Sequence, residues 1–124
     1  MTQDLIIINT KVAYIDERSK PADNQFVYVY TITIKNEGSR AAQLISQHWL
    51  IKDAKNKLNE VKGTGVVGEQ PRLNPGEDYT YSSGVILETP IGTMEGSYHM
   101  QRDDGETFTA SIPTFALVPP QSVH

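Results

Sequence analysis

Between Phe26 and Ile34 the chain reads FVYVYTITI, with Phe26, Tyr28, Tyr30, Ile32 and Ile34 on one phase and Val27, Val29, Thr31 and Thr33 on the other. A period of two, carried almost wholly by β-branched and aromatic residues, predicts a strand with one buried face. The same period recurs along the chain. Residues 5–14 place Ile6, Ile8, Val12 and Tyr14 in phase, and residues 44–52 place Ile45, Trp49 and Ile51 in phase. A short strand is expected near 58–61, and another carries Tyr79 and Tyr81. Residues 92–100 set Met94, Gly96, Tyr98 and Met100 against Thr93, Glu95, Ser97 and His99. A last strand carries Phe108, Ala110 and Ile112, and Pro113 then breaks the alternation, as at a bulge or on an edge strand.

Turn signals separate these runs. Residues 17–24 form a polar loop, 36–39 and 53–57 are turns, and Asp103-Asp104-Gly105 between two alternating runs is a strong hairpin signal. No segment sustains a helical period. About seven short strands in 124 residues predict one all-β domain spanning residues 1–124, a single antiparallel β-sandwich of immunoglobulin or fibronectin type III-like form.

Composition narrows the function more than the fold. The net charge is −4 and the pI about 5.3, with no basic run longer than two, so nucleic acid is not an expected partner. Cysteine is absent, which removes disulfides and thiolate metal sites and fits a reducing compartment. The apolar run Leu5-Ile6-Ile7-Ile8 follows Asp4 and is too short to span a bilayer. A cytoplasmic protein without membrane insertion is expected.

Three features bear on chemistry. Gly63, Gly65 and Gly68 form Gly-x-Gly-x-x-Gly, but Pro71 and Pro75 follow where a dinucleotide-binding fold would need a helix, so that reading is rejected. The glycines either supply positive φ for a loop or present a concave nest of N–H groups to an anion, with Lys62 and Arg72 nearby and Glu60 and Glu69 opposing. If they form such a nest, a β-branched residue at Gly65 is expected to abolish binding and leave the fold nearly intact. His48, His99 and His124 are the candidate ligands for a metal assembled across strands, although no two have the short spacing of a metal motif. Asp103, Asp104 and Glu106 are better accounted for by a hairpin tip than by a hard cation. No nucleophile elbow is present, and Ser82-Ser83-Gly84 is a polar exit from a strand. Tyr28, Tyr30 and Tyr98 fall in phase with the core and are expected to be buried. No enzyme is indicated.

The run Gly63-Thr64-Gly65-Val66-Val67-Gly68-Glu69-Gln70-Pro71 with Asn74-Pro75-Gly76-Glu77 resembles the central signature of the bacterial ApaG family. Residues 79–84, the more specific run 88–98 (Glu-Thr-Pro-Ile-Gly-Thr-Met-Glu-Gly-Ser-Tyr), residues 30–36 and 49–51 and the terminal His124 extend the resemblance over nearly the whole chain. The resemblance implies a fibronectin type III-like sandwich and a link to cobalt resistance and magnesium efflux. It also implies a gene often found near that of a dinucleoside-tetraphosphate hydrolase. Eukaryotic relatives carry the domain in an F-box protein and a DNA-polymerase-interacting protein, which implies protein binding. A pyrophosphate or nucleotide site associated with the family's glycine loop would fall on Gly63, Gly65 and Gly68. No catalytic residues carry over. The expectation is a non-catalytic binding module with an unidentified protein partner, and edge strands that offer unpaired backbone groups leave a homodimer open as well. The alternatives are a pyrophosphate-nucleotide protein or a direct binder of a divalent cation.

Overall fold

The structure, a computed structural model, describes residues 5–119. Its strands are β1 (Ile6–Tyr14), β2 (Phe26–Asn36), β3 (Ala42–Asp53), β4 (Leu58–Thr64), β5 (Arg72–Leu73), β6 (Asp78–Leu87), β7 (Gly92–Arg102) and β8 (Thr107–Leu117). They form two antiparallel sheets, β1-β2-β6 and β4-β3-β7-β8, with β5 paired to β3 beyond the end of β4. The all-β sandwich expected from the alternation is therefore the fold. The added eighth strand is the two-residue β5, too short to leave a periodic trace. The loop expected at 17–24 begins one residue earlier and holds two single turns of 3-10 helix, Asp16–Arg18 and Pro21–Asp23.

The inward phase of β2 is buried as its pattern demands, from Tyr28 through Ile34, and meets Trp49, Met94, Tyr98 and Met100 of the larger sheet. Trp49 is central. Its ring lies 5.3 Å from Tyr30, 6.4 Å from Tyr98 and 6.0 Å from Phe115, the last two edge-on, which suits the ring quadrupoles. Tyr28, Tyr30 and Tyr98 are all buried. Their hydroxyls could not be left dry without partners. Tyr28 donates to the Pro90 carbonyl at 2.6 Å, and the Tyr81 and Tyr98 hydroxyls share a hydrogen bond of 2.6 Å across the core.

Two positions depart from simple alternation. In β3 the buried residues are Ala42, Leu44 and Trp49, and the odd spacing from Leu44 to Trp49 is one that no regular strand can bury on one face. A bulge between Leu44 and Ser46 absorbs the extra residue, so Ile45 is not in phase with Trp49 in the sense the sequence suggested. In β8 the register slips beside Pro113, between the pairs Gly96–Ile112 and Met94–Phe115, and β8 is an edge strand. Both readings of Pro113 therefore hold.

Buried tyrosines give the fold an alkaline limit. Burial pushes the Tyr28 hydroxyl up to about 12, with Tyr14 adding to the effect. Burial also raises Tyr81 and Tyr98, the latter further by the Tyr81 charge it would face. Tyrosine in the unfolded chain ionises near pH ~10. Stability is thus fully present below that pH and declines above it, because the unfolded chain gives up protons that the native state keeps. Tyrosinate absorbance and circular dichroism followed together on raising the pH should show these tyrosines ionising in the same step that unfolds the protein. Their ionisation ahead of unfolding would contradict the burial.

Candidate functional site

The glycine run straddles the end of β4. Gly63 and Thr64 still pair with Gln47 and Ser46, and a tight hairpin follows in which Val66 and Glu69 exchange N–H···O bonds of 2.8 Å each. Val67 (φ 43°) and Gly68 (φ 83°) form its two-residue tip with the paired positive φ of a type I′ turn. The chain then runs through Pro71 to β5, and no helix follows Gly68 among the described residues. Two contacts hold the hairpin against the sheet. Val66 is fully buried in the core, and the Ile45 carbonyl at the β3 bulge accepts from the Gly65 N–H (2.8 Å) and from the Gln70 side-chain amide (3.0 Å).

Each glycine has a local meaning. Gly65 has φ 64°, and a Cβ there would lie 2.3 Å from the Glu69 carbonyl oxygen. The expectation that a β-branched residue at Gly65 leaves the fold intact is therefore overturned, since any side chain at this position opens the hairpin. Gly68 is free of such contacts and is required only for its φ. Of the tip amides, those of Val67 and Gly68 make no hydrogen bond among the described residues, while those of Gly65 and Val66 are spent within the fold.

Val67 stands out. A β-branched side chain at positive φ is strained, by about 1 kcal/mol or more. Val67→Asn restores the Asn-Gly pair that such turns favour and should raise the melting temperature by roughly 4 °C, read in a thermal melt. An unchanged or lower midpoint would show that the tip carries no strain.

Beside the hairpin, on the outer face of the larger sheet, Ser46, Gln47, His48, Lys62, Gly63, Thr64 and His99 line an open hollow of about 480 Å³. The registers Ser46–His99 and His48–Lys62 bring these residues together. His48 Nε2 lies 2.6 Å from Glu60 Oε2, and His99 Nδ1 lies 3.2 Å from the Ser46 hydroxyl. The Lys62 ammonium is 3.9 Å from the same Glu60 carboxylate. Two of the three histidines singled out from the sequence, and one of the glycines, thus share a wall. His124 lies outside the described residues. No group of three or more His, Cys, Asp or Glu is placed to hold a metal ion among the described residues.

The acidic hairpin tip is engaged by arginines. Arg72 Nε donates to Asp103 at 2.9 Å, holding that carboxyl below its ordinary range, and Arg40 pairs with Asp104 and Glu106. Two residues that sequence reasoning left as ordinary are buried at this end. Asn36, read as part of a turn, donates to the Arg40 and Leu73 carbonyls and accepts from the Gly38 N–H. Arg102 donates to the Arg40 and Ala41 carbonyls and lies 4.4 Å over the Phe108 ring.

A third feature has no counterpart in the sequence reading. In the β3–β4 register Val61 is opposite Trp49, and Asn59 is opposite Ile51, so both face the inner side of the larger sheet. Yet Val61 is 46% exposed and β4 buries none of its side chains. On the far flank β1 lies against β8, whose inward Ala110, Ile112 and Leu117 are buried. Three strands cover four, and β4 is the one left bare.

Comparison with known proteins agrees with the signature read along the chain. A model of the ApaG domain matches residues 16–102. A Protein ApaG of Thiobacillus denitrificans is 55% identical over 119 residues, covering 96% of this chain and 94% of its own length. That of Pseudomonas paraeruginosa is 46% identical over 123 residues, 99% of this chain and 98% of its own. The crystal structure of an ApaA protein from Bordetella pertussis superposes with a TM-score of 0.91 at 45% identity, covering 94% of each chain. Motif, full-length similarity and shared architecture lead to one conclusion: this chain belongs to the ApaG family.

Proposed function

We propose that this protein is a non-catalytic binding module that works in the cytoplasm by contacting another protein. The observation that carries the reading is the bare flank formed by β4 and β6. It bares Val61 on the inner face of β4, with Leu58 (56% exposed) on the outer face of β4 and Ile86 (62% exposed) on the outer face of β6 at its two rims, in a small acidic domain. Apolar groups gathered on one flank favour a protein partner over solvent. The connection to cobalt resistance and magnesium efflux that the family resemblance implies would then run through that partner. No helix of the described residues is long and apolar enough to cross a membrane.

A photo-crosslinking residue placed at Leu58 or Ile86 in cells should capture defined protein adducts that the same residue at Lys11, on the opposite flank, does not. Equal capture from all three positions, or none from any, would sink the reading. A second reading draws on the unengaged Val67 and Gly68 amides at the hairpin tip, which suit an anion such as pyrophosphate. Titration calorimetry with pyrophosphate and ADP tests it, and the absence of heat removes it.

A further inference from the structure

The bare inner face of β4 is the floor of a lane whose side wall is the edge of β6. The direction of the β6 backbone groups follows from the ladder. The Val27 carbonyl accepts from the Ile15 N–H and the Val27 N–H donates to the Ser19 hydroxyl, so Val27 and its alternates turn toward β1. Tyr28, Tyr30, Ile32 and Ile34 therefore turn toward β6, where their partners are Val85, Ser83, Tyr81 and Tyr79. The alternate residues Thr80, Ser82, Gly84 and Ile86 direct their N–H and C=O groups away from the sheet, and no strand pairs with them among the described residues. The Thr80 and Ser82 hydroxyls are tied back to Thr33 and Thr31 and do not cap this edge.

Exposed edges ordinarily carry a deterrent to pairing. Here β8 has Pro113 and a bulge, β4 has Glu60 and Lys62, and β1 has Lys11. From Tyr79 to Leu87, β6 has no charge, no proline and no slip in register. One end of the lane is flanked by the Lys57–Glu88 ion pair, and a small hollow lined by Ile51, Asn59, Ile86 and Leu87 lies beside it. The other end is flanked by the segment that carries the chain from β5 into β6.

We infer that this lane takes a single extended peptide segment of a partner protein, added antiparallel or parallel to β6 as a fourth strand of the smaller sheet and lying over β4. A second copy of this chain does not fit the space. Pairing β6 with its own symmetry mate brings the mate's overhanging β4 into the room already floored by this one, so the two larger sheets collide. A lone strand meets no such obstacle. The fully usable stretch, residues 80–86, matches a peptide of about seven residues. Uncharged walls select an uncharged peptide. Its inward side chains, at every second position, would cover Val61 and Asn59 and should be small or β-branched. An outward side chain beside Gly84 has room to be large.

This inference rests on the protein-binding reading above and names the partner's chemistry. Seven-residue peptides displayed on phage, panned against the full chain, should enrich uncharged sequences with alternating apolar positions. The amide resonances of Thr80, Ser82, Gly84 and Ile86 should shift when a synthetic copy of an enriched peptide is added. Ser82→Pro deletes one outward N–H without touching the ladder to β2 and should weaken that peptide at least tenfold. Ser82→Ala, which keeps the N–H, should not. Val61→Arg, placed on the exposed floor, should weaken it similarly should Ser82→Pro prove unstable in a thermal melt. No enrichment, a footprint away from β6, equal affinity in both variants, or a dimer with β6 in its interface would overturn the inference. Adducts from Leu58 or Ile86 that persist in the Ser82→Pro chain would leave protein binding standing and remove strand addition alone. Absence of adducts from the unaltered chain would remove both.

Discussion

Replacing Gly96 with alanine is expected to destabilise the protein by about 3 kcal/mol or more, a fall of roughly 12 °C in melting temperature. Gly96 sits opposite Trp49 where β3 and β7 pair, and an added Cβ would lie 2.2 Å from the His48 carbonyl oxygen and 3.2 Å from the Trp49 ring. The oxygen belongs to the backbone of a central strand, so it cannot move without parting β3 from β7. Both strands have partners on their far sides, which prevents either from peeling away. Gly84→Ala is the natural control. Its Cβ would make only an ordinary contact of 3.7 Å on an edge, and the expected change is within about 1 kcal/mol. A Gly96→Ala chain that melts with the unaltered protein would contradict the close approach of the two strands.

Trp49→Ala should cost about 3–5 kcal/mol, a large share of the roughly 5–15 kcal/mol that holds a domain of this size together. The ring touches both sheets through Tyr30, Tyr98 and Phe115, and its Nε1 donates to Gln47 at 2.7 Å, so its loss opens a void where the sheets meet and strands one polar group. Because this is the only tryptophan, the melt must be followed by circular dichroism and not by indole fluorescence. Survival of the native midpoint would mean that the neighbouring aromatics close the gap, which rings already packed edge-on have little freedom to do.

How much of this was written in the chain depends on whether the signal is local. The run from Phe26 to Ile34 declared its buried face because each residue's fate follows from its neighbours' phase. Pro71 and Pro75 likewise ruled out a helix after Gly68 without reference to anything distant. The bulge at Ile45 could not be read in that way. Its cause is a carbonyl serving Gly65 and Gln70, twenty or more positions along the chain, and a period of two has no mark for one extra residue. The hollow joining His48, His99 and Gly63 was hidden for a related reason, since it exists only once two registers are set. Asn36 and Arg102 look like surface residues by type, and their burial depends on carbonyls at Arg40, Ala41 and Leu73 being within reach. The bare face of β4 is a matter of how many strands each sheet received, which no single segment encodes.

The irregularity at Ile45 joins two tasks in one residue. It resets which way β3 points, and it supplies the anchor for the glycine hairpin. Deleting Ile45 would leave Leu44 and Trp49 an even distance apart, so an uninterrupted ladder could bury both. The same deletion would remove the oxygen to which Gly65 and Gln70 are moored. Such a shortened chain should keep its barrel of aromatic rings and cast the hairpin adrift, which makes the irregular strand a fastening for the loop more than a need of the core.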